Sequence, residues 1–528
     1  MDRLRTLDRD AYDAVVVGAG IGGLTAAAIL ARHGRAVLVL DRHSVAGGNA
    51  TVFRRGAYEF DVGLHYIGEC GDDGLLPRVL RCAGAPGVRF REMDRDGFET
   101  YAFPDLRFRV PASLELFRER LLAVSPREAR GVDRYLRYLT ETWSLVPLVV
   151  RPTLAGALSR LPRARLALRH AFATLGELFD YCELSPPLRA ILAGQSNDYG
   201  LPPGRVSAFY HALIAMHYAR GAYYPEGGGQ ALSDRLAAAI EAAGGKVLLL
   251  ATASRIRVEG GRATGVTFKS PHLGERTVRA PVVISNADWK RTVLELVGRE
   301  HWSRATAAAV EASEMGPALG VLFAVAKRDL AAEGVPNSNF WWFPDFDVDA
   351  QYRAADRDFA THAYLSFATL KDPANPRIAP PGHTNFQAMT VVSADPAAWG
   401  TTAADAASGA YRDAPGYRAA KERFAERMRA DVERVFPGLA SALVYQEVST
   451  PFSHTRYTAS TGGTGYGLAL VPSQVLYRRG TARTGVRGLL VCGASQRFGH
   501  GILGAMLNGL AAAAAVVGRG VLAEVSSG

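Results

Sequence analysis

The chain has 528 residues, of which 48% are hydrophobic and 21% charged, a balance that excludes a disordered, a collagen-like or a many-spanning membrane protein. At roughly 150 residues per structural unit, this length predicts about three units or two interleaved ones. The net charge of +10 suits an anionic cofactor or anionic lipid. We expect no nucleic-acid partner, because no zinc finger, RNA-recognition motif or basic zipper occurs.

The cysteines and the beginning of the sequence indicate a reducing compartment. Cys70, Cys82, Cys182 and Cys492 lie far apart, without a CxxC pair or histidines at zinc-finger spacing, so we expect neither disulfides nor a metal site. Residues 1–11 are charged and lack the apolar stretch of a secretory signal. These features predict a cytoplasmic protein, and peripheral contact with a membrane remains open.

The strongest local pattern lies near the beginning of the chain. An apolar run at residues 12–17 predicts a buried strand, a glycine-rich turn follows at residues 18–23, and residues 24–33 predict an alanine-rich helix. A second apolar run at residues 36–40 ends in Asp41. This succession of strand, glycine-rich turn, helix, strand and acid predicts a dinucleotide-binding site.

Each residue type in this motif has a mechanical role. Gly18 permits the tight turn, Gly20 lets the backbone approach a pyrophosphate, and Gly23 allows close packing of helix and strand. The carboxylate of Asp41 accepts hydrogen bonds from ribose hydroxyls and would repel a 2′-phosphate, so NADP is disfavoured while FAD and NAD both remain open. The predicted dinucleotide contacts in this motif are Gly18, Ala19, Gly20, Gly22, Gly23 and Asp41.

The segment that follows separates FAD from NAD. Residues 41–68, DRHSVAGGNATVFRRGAYEFDVGLHYIG, resemble the FAD-binding opening of the family of retinol saturases, carotenoid isomerases and phytoene desaturases, and the final GLHYIG is most similar to the retinol saturases. The resemblance implies that FAD is the cofactor and that this segment passes near the flavin. It adds to the predicted cofactor contacts Arg42, Gly47, Gly48, Asn49, Gly63, Leu64 and His65.

A middle stretch resembles the part in which this family returns to its flavin domain. After a glycine-rich loop at residues 223–230, Leu232, Leu236 and Ile240 predict one face of a helix. Glu226 in this loop is interpreted as a solvated acid. Apolar runs predict strands at residues 246–250, 255–258, 263–268 and 281–285.

The last cofactor segment combines a strand at residues 488–494 with a turn at residues 499–504 that opens an alanine-rich helix. This turn departs from the desaturase pattern, which has a proline where this chain has residues 497–500. Residues 502–518 carry no charge, yet Asn508 and a length below the ~20 residues of a membrane span favour a buried helix. The resemblance places against the flavin Gly493, Ala494, Gly501, Ile502 and Gly504.

Two intervening stretches predict a substrate domain. Residues 96–222 are mostly helical, and one buried stripe is predicted from Val132, Leu136, Leu139, Trp143 and Val146. Residues 145–170 mix aliphatic residues with arginines and prolines, including Arg151 and Pro152, which is typical of a membrane-interface segment or of a lid over a pocket. Aromatic residues 340–343 either line a channel or fill a core. Antiparallel strands are predicted at residues 318–325, 362–367, 385–392 and 443–448.

Together these elements predict an α/β protein. A discontinuous Rossmann-type FAD domain, of the two-dinucleotide-binding kind, is interleaved with a substrate domain of antiparallel sheet plus helices. The FAD-binding parts are predicted at residues 1–95, 223–300 and 481–528. The substrate domain is predicted at residues 96–222 and 301–480.

The family resemblance implies an oxidoreductase that saturates a C=C bond of a conjugated polyene or isoprenoid-like, lipophilic substrate. A single dinucleotide fingerprint implies one FAD, so electrons come from an external donor, a reduced nicotinamide or a redox protein. The alternatives are desaturation or cis–trans isomerisation of a carotenoid-like substrate, a non-catalytic flavin-binding, lipid-associated protein, and amine oxidation. The predicted proton donor is His500, which has a glycine on each side, followed by His65, Tyr66 and Tyr466.

Overall fold

The computed structural model describes residue 3, residues 6–150 and residues 153–526. Arg151 and Pro152 lie outside the described residues, as do residues 1, 2, 4 and 5 of the charged beginning and residues 527 and 528. The strands are β1 (Ala14–Val17), β2 (Val37–Leu40), β3 (Val52–Arg55), β4 (Tyr58–Asp61), β5 (Phe90–Glu92), β6 (Glu99–Ala102), β7 (Arg107–Val110), β8 (Tyr223–Pro225), β9 (Lys246–Leu248), β10 (Thr252–Glu259), β11 (Arg262–Ser270), β12 (Gly274–Arg279), β13 (Val282–Ser285), β14 (Ala318–Ala326), β15 (Asn339–Trp342), β16 (Ala363–Phe367), β17 (Thr384–Val392), β18 (Leu443–Ser449) and β19 (Leu489–Val491). The α-helices are α1 (Ile21–Arg32), α2 (Leu75–Cys82), α3 (Leu114–Val124), α4 (Ala129–Ser144), α5 (Val146–Val150), α6 (Leu154–Arg160), α7 (Arg165–Arg169), α8 (Leu175–Cys182), α9 (Pro186–Leu192), α10 (Ala208–Tyr218), α11 (Gly228–Ala242), α12 (Trp289–Arg291), α13 (Arg304–Ala312), α14 (Val348–Arg353), α15 (Ala368–Lys371), α16 (Ala403–Ser408), α17 (Pro415–Val435), α18 (Pro451–Thr458), α19 (Gly501–Val517) and α20 (Gly520–Ser526).

Five parallel strands form the first sheet, in the order β19-β13-β1-β2-β9. All residues of β1 and β2 are buried, as expected for strands that are covered on both faces. Helices α1, α11 and α19 cover one face through an apolar cluster, and the antiparallel sheet β10-β11-β12 covers the other. Strands from three distant stretches of the chain thus form one unit, and the predicted α/β fold class is confirmed.

Helix α1 crosses α19 with their backbones in contact. A Cβ added to Gly509 would lie 2.2 Å from the carbonyl oxygen of Gly22, so no side chain fits at this crossing. Helix α1 begins at Ile21, three residues before the predicted start, because the last glycines of the turn already form its first turn. Helix α19 lies in the core, as predicted. Among residues 3, 6–150 and 153–526, none of the helices combines the length and apolar character that a bilayer span requires.

Seven strands form the second sheet, in the order β18-β14-β17-β16-β15-β6-β7. Neighbouring strands are antiparallel, except that β15 and β6 pair in parallel. The four strands predicted between residues 318 and 448 match β14, β16, β17 and β18 to within one residue at each end. Strands β6 and β7 come from the stretch 96–222, which was predicted to be mostly helical and for which no strand was named.

The faces of the second sheet are covered by different helices. Along β14, Leu322 and Ala324 pack towards α17, whereas Val321 and Phe323 belong to a cluster with α4, α8 and α10. Residues 340–343 do not line the main cavity, and Trp341 has no exposed surface. Of the two alternatives for this aromatic segment, the structure therefore supports core filling.

The stripe predicted on α4 is only partly correct. Val132 and Leu139 are buried, whereas Leu136, Trp143 and the following Val146 are half-buried. The predicted stripe did not include Tyr135 and Tyr138, whose rings occupy much of the inner face. The buried residues of α4 are Gly131, Val132, Tyr135, Tyr138, Leu139 and Thr142.

Candidate active site

A cavity of about 1620 Å³ extends from the carboxyl ends of β1, β2 and β13 to side chains of the second sheet. The carboxyl ends of parallel strands are the usual ligand-binding edge of a doubly wound sheet. Pockets for single small molecules typically measure about 300–1,000 Å³. The cavity is therefore large enough for a dinucleotide together with a second molecule.

The glycine-rich turn after β1 forms the first wall of the cavity. Gly18, Gly20 and Gly22 line it. Gly18 has a φ of +98°, and a Cβ on Gly23 would lie 2.2 Å from the carbonyl oxygen of Gly18, so neither position accepts a side chain. The N-terminus of α1 consequently reaches the cavity with its free N–H groups, an arrangement that suits a pyrophosphate.

Two predicted dinucleotide contacts, Ala19 and Gly23, lie behind this wall. Gly23 serves the packing of α1, and the N–H of Ala19 donates to Asp41 Oδ2 at 2.6 Å. Asp41 Oδ1 accepts a hydrogen bond from the N–H of His43 at 2.7 Å. Burial raises the pKa of Asp41, and the two backbone hydrogen bonds oppose this shift. Asp41 lines the cavity, and its contact with a ribose stays a prediction.

The loop after β2 continues the same wall. The N–H of Gly47 donates to the carbonyl oxygen of Ala19 at 2.7 Å, which holds the two glycine-containing loops together. A Cβ on Gly48 would lie 3.1 Å from Gly20 Cα. The predicted contacts of this segment that line the cavity are Arg42, Gly47, Gly48, Asn49, Gly63, Leu64 and His65.

Asn286, absent from the sequence predictions, stands where the three predicted cofactor stretches meet. It follows β13 and lines the cavity. Its Nδ2 donates to the carbonyl oxygen of Gly18 at 3.4 Å, and its Oδ1 accepts from Cys492 Sγ at 3.5 Å. A Cβ on Gly20 or on Gly493 would lie 2.7 or 2.8 Å from its amide. The sequence signal was a polar residue directly after a buried parallel strand.

A buried amide on α19 holds the turn after β19. Asn508 Nδ2 donates to the carbonyl oxygens of Gly493 at 2.8 Å and Gly499 at 3.1 Å. Its Oδ1 accepts from the N–H of Phe498 at 3.1 Å. The predicted contacts of this part that line the cavity are Gly493, Ala494, Gly501, Ile502 and Gly504.

A buried arginine supports the same turn from behind. Arg479 is 2% exposed and donates to the carbonyl oxygens of Leu468, Ala494 and Gln496 at 2.8–3.1 Å. Burial lowers its pKa, but an arginine side chain stays protonated in proteins. A fixed positive charge therefore lies behind a cavity wall, where it favours negative charge on a bound ligand.

His500 and Tyr466, two of the predicted proton donors, lie together on this wall. Their ring centroids are 5.0 Å apart, and the Tyr466 hydroxyl donates to the carbonyl oxygen of Asn197. Burial and the charge of Arg479 lower the pKa of His500 to about 3. Its ring is therefore neutral at pH 7, which makes it a weak proton donor.

His65 and Tyr66, the other two predicted donors, lie in the loop after β4. Burial, aided by the charge of Lys371, lowers the pKa of His65 to about 3. The Tyr66 ring stacks on Tyr218 with centroids 4.3 Å apart. Its hydroxyl oxygen lies 2.5 Å from an oxygen of Asp198 and 2.5 Å from an oxygen of a second acid, Glu99, neither of which was predicted.

Unpartnered polar atoms show which ligand the wall suits. Asn49 Oδ1, His65 Nδ1, Arg497 Nε and His500 Nε2 are buried without a hydrogen-bond partner in the part of the chain that the structure describes, and these residues line the cavity. Buried polar atoms are normally paired, so a polar ligand is expected there. With the helix N-terminus and the bare glycines, these atoms fit the phosphates, ribityl chain and polar ring edge of a flavin nucleotide.

Beyond these polar groups the cavity becomes apolar. Six side chains that line this region are Trp143, Leu213, Ile214, Val321, Phe323 and Met389. Glu226 lies at the surface, where it pairs with Arg89 at 2.6 Å. This contact fits its interpretation as a solvated acid.

A parallel sheet whose glycine-rich turns face one cavity, beside a second sheet with an apolar lining, defines a flavin-dependent oxidoreductase. The chain belongs to the family of flavin containing amine oxidoreductases, which matches residues 21–517. The cofactor is FAD, and the family predicted from the sequence is confirmed.

Within this family the chain is similar to enzymes named for retinoids and carotenoids. It shares 29% identity over 479 residues with the all-trans-retinol 13,14-reductase of Danio rerio, covering 86% of this chain and 77% of the relative. The human enzyme of that name is 26% identical over 552 residues, covering 98% and 87%. A prolycopene isomerase of Daucus carota is 24% identical over 516 residues, covering 94% and 79%.

Solved structures show the same fold. An oxidoreductase from Methanosarcina mazei superposes with a TM-score of 0.63 at 19% identity, covering 94% of this chain and 98% of that one. A putrescine oxidase bound to putrescine superposes with a TM-score of 0.62 at 16% identity, covering 96% and 99%. At these identities the likeness extends to the fold alone.

Proposed function

We propose that the protein reduces a C=C bond of a lipophilic, conjugated polyene. The observation that supports this proposal is the continuation of the cavity from the FAD-binding loops into an apolar region between α10 and β14. Relatives named all-trans-retinol 13,14-reductase cover nearly the whole chain. An extended apolar substrate suits this lining, which removes it from water next to the flavin wall.

Bound FAD, once reduced, supplies the hydride. The side chains of α10 and β14 hold the polyene and exclude water from the reacting carbons. The stacked rings of Tyr66 and Tyr218 offer a flat aromatic surface to a conjugated chain. The neutral rings of His65 and His500 complete the wall. Electrons come from an external donor, a reduced nicotinamide or a redox protein.

Anaerobic mixing tests the proposal. FAD-loaded protein is photoreduced and mixed with all-trans-retinol; we expect the flavin to be reoxidised while an equal amount of polyene absorbance is lost. Val321→Asp, which places a charge in the apolar lining, should retain FAD but react more slowly. Consumption of the polyene by the oxidised protein would contradict the proposed direction. Peroxide formation with an amine panel, without polyene reduction, would indicate amine oxidation.

Cis–trans isomerisation is a second candidate, favoured by the similarity to prolycopene isomerase. The same apolar cavity would hold such a substrate. Isomerisation predicts that the polyene spectrum changes while the flavin stays reduced, so the mixing experiment separates the two reactions.

We also propose that the protein contacts a membrane through an apolar, basic surface, which we call the α6–α7 surface. Leu154 and Leu158 on α6 are 77% and 69% exposed. Tyr477 is 72% exposed, and its ring centroid lies 5.5 Å from that of Phe172, which follows α7. Tyr477 also lines the cavity, so the surface borders an opening to the substrate region. The apolar members are Leu154, Leu158, Leu161, Leu168, Phe172 and Tyr477. The basic members are Arg160, Arg163, Arg165, Arg169 and Arg478.

Exposed leucines beside arginines suit an interface with anionic lipid. Liposome flotation tests this contact. The double change Leu154→Glu and Leu158→Glu should reduce binding to vesicles that contain phosphatidylserine. The matched control is Val444→Glu, because Val444 is also exposed (49%) but lies on β18, away from this surface. Equal flotation of all three proteins would contradict the proposal, and the cytoplasmic location stays a prediction.

A further inference from the structure

Two carboxyl groups and one phenol form a hydrogen-bonded group on the cavity wall. The hydroxyl oxygen of Tyr66 lies 2.5 Å from Glu99 Oε1 and 2.5 Å from Asp198 Oδ2. Tyr101 donates to Glu99 Oε2 at 2.6 Å. Glu99, on β6, has no exposed surface, whereas Asp198, between α9 and α10, lines the cavity. We call Glu99, Tyr66 and Asp198 the acid group.

The two short contacts at the Tyr66 oxygen require more than the phenol proton. A phenol has one proton and donates it to one carboxyl oxygen at a time. The second contact is a hydrogen bond only if the other carboxyl group is protonated and donates to the phenol oxygen. Two ionised carboxyl oxygens at most about 5 Å apart inside the protein would repel each other. The acid group therefore holds at least one carboxyl proton at neutral pH.

The surrounding charges lead to the same conclusion. Lys371 is buried, and its ammonium group donates to the carbonyl oxygen of His65 at 2.6 Å. The carboxyl groups of Asp61, Glu99 and Asp198 all interact with this ammonium group, so ionisation of all three would leave a net negative charge in the core. Burial raises the pKa of Glu99 and of Asp198, and the charge of Glu99 raises the pKa of Asp198 further.

Of the other titratable groups that face the acid group, the phenols do not change this balance, whereas burial lowers the pKa of Lys371 to about 7, so this group titrates near neutral pH. Burial raises the pKa of each neighbouring phenol well above 10, so these side chains are neutral at pH 7. The facing groups are Tyr101, Tyr199, Tyr218, Tyr364 and Lys371.

Saturation of a C=C bond adds a proton as well as a hydride, and the inference that follows rests on the proposed function. We propose that Asp198 is the proton donor of the reaction and that Glu99 replaces its proton through Tyr66. Asp198 lines the cavity beside the apolar region. Within residues 3, 6–150 and 153–526, its side chain makes one hydrogen bond, from Tyr66 to Oδ2, which leaves Oδ1 without a partner. The neutral rings of His65 and His500 are weaker donors.

The step starts with Asp198 and Glu99 both protonated. Asp198 Oδ1 carries the proton that is donated, Asp198 Oδ2 accepts a hydrogen bond from Tyr66, and Glu99 Oε1 donates to the Tyr66 oxygen. The π bond of the substrate breaks; one carbon receives the hydride from reduced flavin, which is thereby oxidised, and its neighbour receives the proton from Asp198. Tyr66 passes its proton to Asp198 and takes the proton of Glu99, so the negative charge comes to rest on Glu99 beside Tyr101. A proton from water restores the acid group after the product leaves.

Single-turnover kinetics test the donor. FAD-loaded protein is reduced anaerobically and mixed with all-trans-retinol, and flavin reoxidation is followed across neutral pH. We expect Asp198→Asn to slow reoxidation by roughly 100-fold or more, and Glu99→Gln and Tyr66→Phe to alter its pH profile. Tyr138→Phe and Asp431→Asn, a buried phenol and a buried carboxylate outside the cavity lining, should retain the wild-type rate and profile.

Infrared difference spectroscopy gives a readout that does not depend on turnover. Reduction of the flavin in the wild-type protein should perturb a carbonyl stretching band of a protonated carboxyl group, and this band should shift in heavy water. It should be lost or displaced in Asp198→Asn and Glu99→Gln and unchanged in Asp431→Asn. Absence of the band from the wild-type protein would overturn the proposal that the acid group holds a carboxyl proton.

The outcomes separate this inference from the proposed function. If the wild-type protein reduces the polyene and Asp198→Asn reacts equally fast, Asp198 is not the donor although the proposed function stands. If the wild-type protein does not react, the proposed function is wrong, and the infrared band alone decides whether the acid group holds a proton. Tyr66→Phe keeps the ring stacked on Tyr218 and tests the group if Asp198→Asn does not fold.

Discussion

Replacing Asn508 with leucine is expected to loosen the turn after β19. The amide makes hydrogen bonds to the carbonyl oxygens of Gly493 and Gly499 and from the N–H of Phe498. Leucine has the same number and branching of side-chain heavy atoms but no polar atom, so the change leaves these backbone groups without their partner. Asn508 is 2% exposed, and water therefore does not replace the amide.

The expected loss in the free energy of unfolding is about 3 kcal/mol. A buried polar group that loses its hydrogen bond costs roughly 1–3 kcal/mol, and we take about 1 kcal/mol for each of the backbone groups involved. Because Gly493 lines the cavity, FAD should also dissociate more readily. A tenfold weaker affinity for FAD corresponds to a loss of about 1.4 kcal/mol in the binding free energy.

Urea unfolding and FAD release measured by fluorescence provide the assay. The matched control is Asn337→Leu, because the Asn337 amide donates one long hydrogen bond, 3.5 Å to the carbonyl oxygen of Glu92, away from the cavity. We expect this control to cost less than about 1 kcal/mol. An Asn508→Leu protein that is within about 0.5 kcal/mol of wild type and retains FAD normally would refute the reasoning.

Three further changes test other parts of the account. Gly23→Val adds a side chain where a Cβ alone would lie 2.2 Å from a carbonyl oxygen, so we expect no folded, FAD-loaded protein on gel filtration. The control Gly520→Ala, with open space at its Cβ, should behave as wild type. A normal FAD content of Gly23→Val would contradict the packing argument. Arg479→Lys should lower both the melting temperature and the FAD content, because an ammonium group cannot reach all the carbonyl oxygens to which the guanidinium group donates. Unchanged values would show that Arg479 does not support the cavity wall. Burial lowers the pKa of His500 to about 3 in the folded protein, whereas an unfolded histidine binds a proton near pH 6.5. The free energy of unfolding therefore falls as the pH drops below about 6.5. His500→Gln should reduce that loss by roughly 1 kcal/mol between about pH 6.5 and 5.5 in urea unfolding, and equal losses in both proteins would count against a neutral ring.

The features that the sequence predicted depend on contacts between near neighbours in the chain. The turn at residues 18–23 and the turn at residues 499–504 each lie between a strand and a helix, so their glycines signal the site locally. Four strands of the second sheet, β14, β16, β17 and β18, were placed to within one residue because their apolar runs are bounded by turn residues. The direct contacts of these residues with FAD remain predictions.

The features that were missed depend on partners from distant parts of the chain. Glu99, Tyr66 and Asp198 are separated by up to 132 residues, and no spacing rule brings them together. Arg479 stands beside another arginine in the sequence, so nothing distinguished the buried one. Strand β7 could have been found, since its sequence RFRV alternates charged and apolar residues.

A single turnover in heavy water tests the central claim most directly. The protein is loaded with FAD, reduced without oxygen and mixed with one equivalent of all-trans-retinol, and the mass of the product is determined. Reduction of a C=C bond predicts a product that contains deuterium at both carbons of the former double bond, together with oxidised flavin. Recovery of the retinoid without deuterium, or of a product that has lost hydrogen, would contradict the account.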